Sequence, residues 1–152
     1  MLNSARAYAA YRAADYDTLV VDIEELYHQF GGGIFKNSIS LKLFLNLTMD
    51  QWPKWPSHLF LIGKSVKPAP ESYEPGSRKD TTSYALNLVP TWGTPGSDNH
   101  YSTDIYSGSR YYLIPTGRLS ASSNLEVTNY LQKMTEIEDN QDPTSLYSIA
   151  NK

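Results

Sequence analysis

The feature that most constrains this chain is a four-residue run, Leu59-Phe-Leu-Ile62, apolar at every position and closed by Gly63. A strand wet on one face alternates apolar and polar residues. A continuous apolar run is instead the pattern of a strand covered on both faces, as in a parallel sheet packed between helices. The run is reached through Trp52-Pro-Lys-Trp-Pro56, a stiff connector because each Pro fixes its own φ and discourages helix before it. Parallel neighbours need long crossovers, so the flanking chain must supply helices and further short strands.

It offers candidates for both. Residues 4–14 are Ala-rich and favour a helix by propensity, and Thr18-Leu-Val-Val-Asp22 follows as a second short apolar run. Residues 24–30 read as one or two helical turns stopped by Gly31-Gly-Gly33. The next segment has two readings. Ile39, Leu41, Leu43, Leu45 and Leu47 alternate as a strand would, whereas a helix capped by Ser38 buries Leu41, Phe44, Leu45 and Thr48. The helix is preferred, since a strand here leaves the following strand without a crossover. Residues 64–83 are rich in Pro, Ser, Glu and Lys without periodicity, and read as a long exposed loop. Val89-Pro-Thr-Trp92 re-enters the body, residues 97–108 are turn-rich, and 111–115 read as another strand. Ser123-Asn-Leu-Glu126 fits a capping box, opening a helix to Glu138 with Val127, Tyr130, Leu131, Met134 and Ile137 on its apolar face. The expected fold is an α/β layered domain over residues 1–140 on a mostly parallel sheet, with a polar tail or linker at 141–152.

Composition sets outer bounds on function. At 152 residues the chain is long enough for one substantial core. A net charge of −3 gives no electrostatic case for nucleic acid or an anionic membrane. No apolar run approaches the roughly 20 residues of a membrane span. The first residues lack the apolar core of a signal peptide, so the signal of an exported parent would lie outside this sequence. There is no cysteine, hence no disulfide, thiolate metal site or thiol nucleophile in these residues. Twelve Tyr residues beside a modest charge count suit a binding or extracellular surface, because the ring buries area while its hydroxyl stays wet.

No complete catalytic machine is visible. His28, His58 and His100 sit in different contexts, and there is no Gly-x-Ser-x-Gly elbow. Gly63-Lys-Ser65 follows a buried strand, but the first Gly of a phosphate loop would fall where His58 stands. Asp98, Asn99 and Asp104 offer oxygen ligands that Ca²⁺ accepts; the stronger reading is that they make their own turn hydrogen bonds. Tyr101, Tyr106, Tyr111 and Tyr112 with Trp92 can form an aromatic binding face, but packing over the sheet or under loops is favoured. Arg118 is expected to hold the Gly117 turn through carbonyl or carboxylate hydrogen bonds, and Trp52 and Trp55 to pack at a hinge. No catalytic, cofactor or metal residue is assigned.

Several stretches line up, in order, with one family. Val20-Val-Asp-Ile-Glu-Glu-Leu-Tyr-His-Gln-Phe-Gly-Gly-Gly33 resembles the strand, acidic turn, Tyr and Phe-x-x-Gly of gingipain-like cysteine peptidases. Leu59-Phe-Leu-Ile-Gly63 looks like the family's strand ending in Gly, and Val89-Pro-Thr91, Ser97-Asp98, Tyr101 and Gly117-Arg118-Leu119 follow at familiar spacings. Glu126 and residues 133–138 resemble the helix that closes the family's first subdomain. The likeness covers roughly residues 5–138 and departs from the pattern at Lys64 and at 111–116. It implies a caspase-like fold of two side-by-side subdomains, with the catalytic His and Cys in the second. This chain resembles only the first. The implied role is non-catalytic support of a cysteine endopeptidase, partnered by its catalytic subdomain, in a secreted or cell-surface bacterial protein whose family includes the sortase-like peptidase of type IX secretion. The alternative is a stand-alone interaction module that binds another protein.

Overall fold

In the computed structural model, residues 1–66, 81–93, 95–103 and 111–140 are described. The described residues form five α-helices, a 3-10 turn and a two-stranded parallel sheet, a mixed α/β architecture. The chain divides into two compact units, residues 19–122 and the two flanks, 1–18 with 123–152.

The larger unit carries the sheet. Helices α2 (Ile23–Phe30) and α3 (Ile39–Gln51) pack together ahead of β1 (Leu59–Ile62). Asp22 caps α2, its Oδ1 accepting from the Glu24 N–H at 3.1 Å. Helix α3 takes the helical reading of its ambiguous segment and buries Leu41, Leu45, Thr48 and Met49. Ser38 makes no cap bond there; the Asn37 side chain accepts from the Ile39 N–H instead, at 3.2 Å. A short helix, α4 (Thr81–Leu86), and the 3-10 turn Asp98–Ser102 lie on the way to β2 (Thr116–Leu119). The strands pair in parallel from Leu59 opposite Thr116 to Ile62 opposite Leu119. Beyond them the ladder runs on through Gly63 N–H to Leu119 O (2.9 Å) and Lys64 N–H to Ala121 O (2.8 Å). The core gathers Leu26, Leu41, Leu45, Met49, Leu61, Val89, Tyr101 and Ile114.

Three expectations are corrected here. Residues 18–22 form no strand: Leu19 is exposed, and Val21 reaches the core without ladder bonds while Asp22 serves α2. Residues 111–115 are not a strand either. Tyr111, Tyr112 and Leu113 are exposed and Pro115 has no N–H for a ladder, so β2 begins one residue later and Gly117-Arg118 lies in a strand rather than a turn. The loop expected to run to Ser83 gives way to α4 at Thr81, and its residues 67–80 lie outside the described ones, as does the tail 141–152.

The flanking unit pairs α1 (Leu2–Arg12) with α5 (Asn124–Asp139). Ser4 Oγ donates to Asn124 Oδ1 (3.2 Å), the Tyr8 and Tyr130 rings lie 5.8 Å apart, and Arg12 meets Glu138 at 2.8 Å. Matching starts and ends make the two helices parallel. The N-cap half of the expected capping box opens α5, Ser123 Oγ accepting from the Glu126 N–H at 3.3 Å. Val127 is buried and Tyr130, Leu131 and Met134 half-buried, but Ile137 is exposed.

Candidate functional site

The carboxyl ends of parallel strands are where α/β sheets place their working loops. Here those ends are gathered by one side chain. Arg118, third residue of β2, has five N–H donors in a rigid fork, and every one finds an acceptor. Nε donates to Asp98 Oδ2 (2.6 Å) and Nη2 to Asp98 Oδ1 (2.8 Å), a bidentate pair. Nη1 donates to the Gly63 and Val89 carbonyls (2.7 and 2.8 Å), and Nη2 also to the Pro90 carbonyl (3.2 Å). One guanidinium thus ties the end of β1, the Val89-Pro90 re-entry and the 3-10 turn to β2. Gly63 fits this junction for a steric reason. Its φ is +148°, and a Cβ there would stand 2.8 Å from Val89 Cγ2.

The other end of the 3-10 turn is held from below. Lys42 of α3 is buried, and its Nζ donates to the His100 carbonyl (2.6 Å), the Thr103 carbonyl (2.9 Å) and Thr103 Oγ1 (2.5 Å). It also lies 5.3 Å from the centre of the Trp92 ring. Tyr101 is fully buried, and its hydroxyl donates to the Pro90 carbonyl at 2.6 Å. Burial pushes its phenol up from the usual range, and the nearby Arg118 charge opposes that rise. Ser102 Oγ donates to the Ile114 carbonyl (3.1 Å), tying the turn to the approach of β2.

Above the clip opens a pocket of about 420 Å³ lined by Ser65, Thr91, Pro95, Gly96, Asp98 and Arg118. Ser65 Oγ is buried without a hydrogen-bond partner.

Against this frame the candidate residues separate. Arg118 does bind carbonyls and a carboxylate, but from within a strand. Asp98 spends both oxygens on Arg118, and a guanidinium at that distance works against a Ca²⁺ ion; Asp104 lies outside the described residues. Among the described residues no three acidic, His or Cys side chains gather as a metal site. The aromatic group does not act as one face. Tyr101 is core, with Trp92 against it at 6.2 Å, Tyr112 meets the His100 ring edge-on (5.5 Å), Tyr111 is exposed, and Tyr106 is outside the described residues. The three His residues stay apart, His28 against Phe35, His58 beside Ser57 and His100 against Tyr112. Lys64 has no phosphate-loop geometry, since its N–H goes to Ala121 and its carbonyl accepts from Leu88 and Val89. Trp52 meets Phe44 edge-on at 6.5 Å, and both Trp52 and Trp55 are exposed.

Lys42 and the lining residues Ser65, Thr91 and Gly96 carry roles that the sequence reading did not assign. For Lys42 there was a signal. It lies one residue from Leu41, and with Asn46 it makes an i, i+4 polar pair on a helix face that must be buried. The Asn46 side chain donates to the Lys42 carbonyl at 2.9 Å.

No helix among the described residues is long and apolar enough to cross a membrane. No curated protein and no solved structure matches the chain. The sequence model of Peptidase family C25 does, over residues 1–150. Nearly the whole length is covered, and the chain belongs to peptidase family C25, the gingipain family of cysteine peptidases.

Proposed function

We propose that the chain is the N-terminal, non-catalytic subdomain of a gingipain-like cysteine endopeptidase, with caspase-like layering. It supports a catalytic subdomain and contributes one wall of its cleft. The observation that carries this reading is a family match over residues 1–150 in a chain with no cysteine. Cysteine peptidase chemistry needs a thiolate beside a base, so the nucleophile must come from another segment. The clip supports a scaffolding role, because Arg118, Lys42 and Asp98 are engaged in holding loops at the strand ends. The same reading places the parent outside the cell or on its surface.

The test is the reading frame beyond Lys152. A His-Gly followed later by a Cys is expected; a continuation without either ends the peptidase reading. At the bench, the 152-residue chain is expected to hydrolyse no peptide substrate, and to form a complex with the separately produced catalytic subdomain. Failure of the two to associate in analytical ultracentrifugation rules out the buttressing role.

A further inference from the structure

The short helix α4 is attached to the larger unit mainly at its end. None of its six residues is buried, and a helix that short does not hold itself together in water. The chain just beyond it is fixed. The Leu88 and Val89 N–H groups both donate to the Lys64 carbonyl (2.9 and 3.1 Å), and the Val89 carbonyl belongs to the Arg118 clip. The helix itself is gripped by Lys36, whose Nζ donates to the Tyr84 carbonyl and lies 4.0 Å from the centre of the Tyr84 ring. The Asn87 N–H reaches the same carbonyl at 3.3 Å and that of Ser83 at 3.1 Å, so an amide and an ammonium close the last turn together.

This closed arrangement carries costs. Lys36 stands at φ +60°, a left-handed conformation uncommon for a residue with a side chain. Its ammonium gives up water, and burial holds it below the ordinary lysine value. Tyr27 meets the Phe35 ring at 5.8 Å and is buried, its hydroxyl without a partner among the described residues. Burial first, and then the Tyr84 and Glu24 groups, push that phenol up, which puts Tyr84 of α4 within electrostatic reach of it. A buried hydroxyl left unpaired costs its full desolvation, and water satisfies it once its cover moves. Since α4 buries no apolar side chain to offset these costs, they favour opening, and the Lys36 contact opposes it.

We infer that α4 is a lid over Tyr27, latched by the Lys36 ammonium and hinged at Asn87. When closed, Lys36 takes the place of a capping cation at the helix C-terminus. When the ammonium leaves the Tyr84 carbonyl, residues 81–86 swing out while Leu88 and Val89 stay on Lys64. Tyr27 then joins the already exposed Ile34 and Phe35 in one aromatic and apolar surface. Every part of this device lies between Tyr27 and Val89, so it is independent of the peptidase reading.

The experiment is amide hydrogen exchange on the full 152-residue chain, read at Asn87 for the lid and at Leu88 and Val89 for the fixed side of the hinge. Lys36→Met keeps the stem and removes the ammonium. Exchange at Asn87 should rise about ten- to a hundredfold, the worth of a hydrogen bond to a charged group, with Leu88 and Val89 unchanged. Lys36→Gly separates latch from strain. Glycine relieves the left-handed backbone, so a lid held by backbone shape would close more tightly, whereas a charge latch requires Asn87 to exchange faster here too. Tyr27→Phe should slow exchange at Asn87 about five- to tenfold, because a lid closed over phenylalanine orphans no hydroxyl. Unchanged or slower exchange at Asn87 in either Lys36 variant, or equal acceleration at Leu88 and Val89, would overturn the latch. No slowing in Tyr27→Phe would overturn the lid over Tyr27, and that variant decides the matter even if the Lys36 variants fail to fold.

Discussion

Among the described residues two arginine–carboxylate pairs of similar length do different jobs. Arg118 and Asp98 join loops in the larger unit; Arg12 and Glu138 join α1 to α5 in the flanking unit. Each guanidinium is more covered than its carboxylate, with side-chain exposures of 11% and 22% for the first pair and 20% and 31% for the second. The modest difference in burial is not what separates them. Arg118 also satisfies three main-chain carbonyls, which cannot turn to water without moving the backbone. The neighbours of Arg12 are side chains: its Nε donates to the Tyr8 hydroxyl at 3.2 Å, and it lies over the Tyr8 and Tyr11 rings. A pair that collects backbone fixes a fold, whereas one that collects side chains trims a surface already formed.

The largest expected effect is therefore at Arg118. R118A strips partners from a partly buried carboxylate and three carbonyls together, and should cost about 3–5 kcal/mol in urea unfolding. R118K should recover only part of that, because an ammonium cannot form the bidentate fork. A loss from R118A no larger than that from R12A would erase the contrast. Next is Lys42. K42M keeps the stem packed in α3 but orphans the Thr103 carbonyl, while the His100 carbonyl keeps its bond from the Thr103 hydroxyl, a loss of about 1–3 kcal/mol. Hydrogen exchange should accelerate at residues 98–103 in K42M more than at β1; uniform acceleration would mean that Lys42 supports the core as a whole. Tyr101 comes third. Y101F removes a buried hydrogen bond, yet the Pro90 carbonyl keeps its bond from Arg118, so the expected cost falls to about 0.5–1.5 kcal/mol. Combining Y101F with R118A should then cost more than the sum, since the carbonyl loses both donors.

How much of this was legible in the sequence follows the range of each interaction. Leu59–Ile62 was readable because four apolar residues in a row allow few environments, and the Ser123 cap because its partner is three residues away. The choice of helix for residues 39–51 was won by chain topology, with Leu41, Leu45 and Thr48 buried at helical spacing. The misplaced strands failed for one reason: an apolar run predicts burial, but a strand needs a neighbour at the right register. Val21 is packed against the core without a ladder partner, while Thr116–Leu119, with Gly and Arg at its centre, pairs along its length. The clip was half visible. That Arg118 binds carbonyls and a carboxylate is chemistry the residue type announces; that the four segments meet there rests on contacts 20, 28, 29 and 55 residues apart. Ser65 and Gly96 were invisible because a pocket is defined by what is missing around a residue, which no local pattern encodes.

The smallest effect tests the surface side of the comparison and depends on pH. Glu138 is held below its ordinary value of 4.5, first by the hydrogen bond from the Tyr11 hydroxyl, against the desolvation that ranks next, and then by the bond and charge of Arg12. A carboxylate with a depressed folded pKa contributes stability that is fully present above its unfolded pKa and is lost as pH falls through the folded one. The advantage of the native chain over E138Q should therefore be steady near neutrality and fade as pH drops below about 4.5. At high pH the same contact raises the Tyr11 phenol, again through the Glu138 hydrogen bond first, so the tyrosine stays protonated further into the alkaline range than its usual 10.0. Both groups face solvent, so the difference in urea midpoint should be far smaller than for R118A. It should also shrink in high salt, which screens exposed charges, whereas the R118A loss should hardly change. If E138Q proves as costly as R118A, or its cost persists unchanged at pH 3, then α1 and α5 are joined by more than a trimmed surface, and the two arginines belong to one class after all.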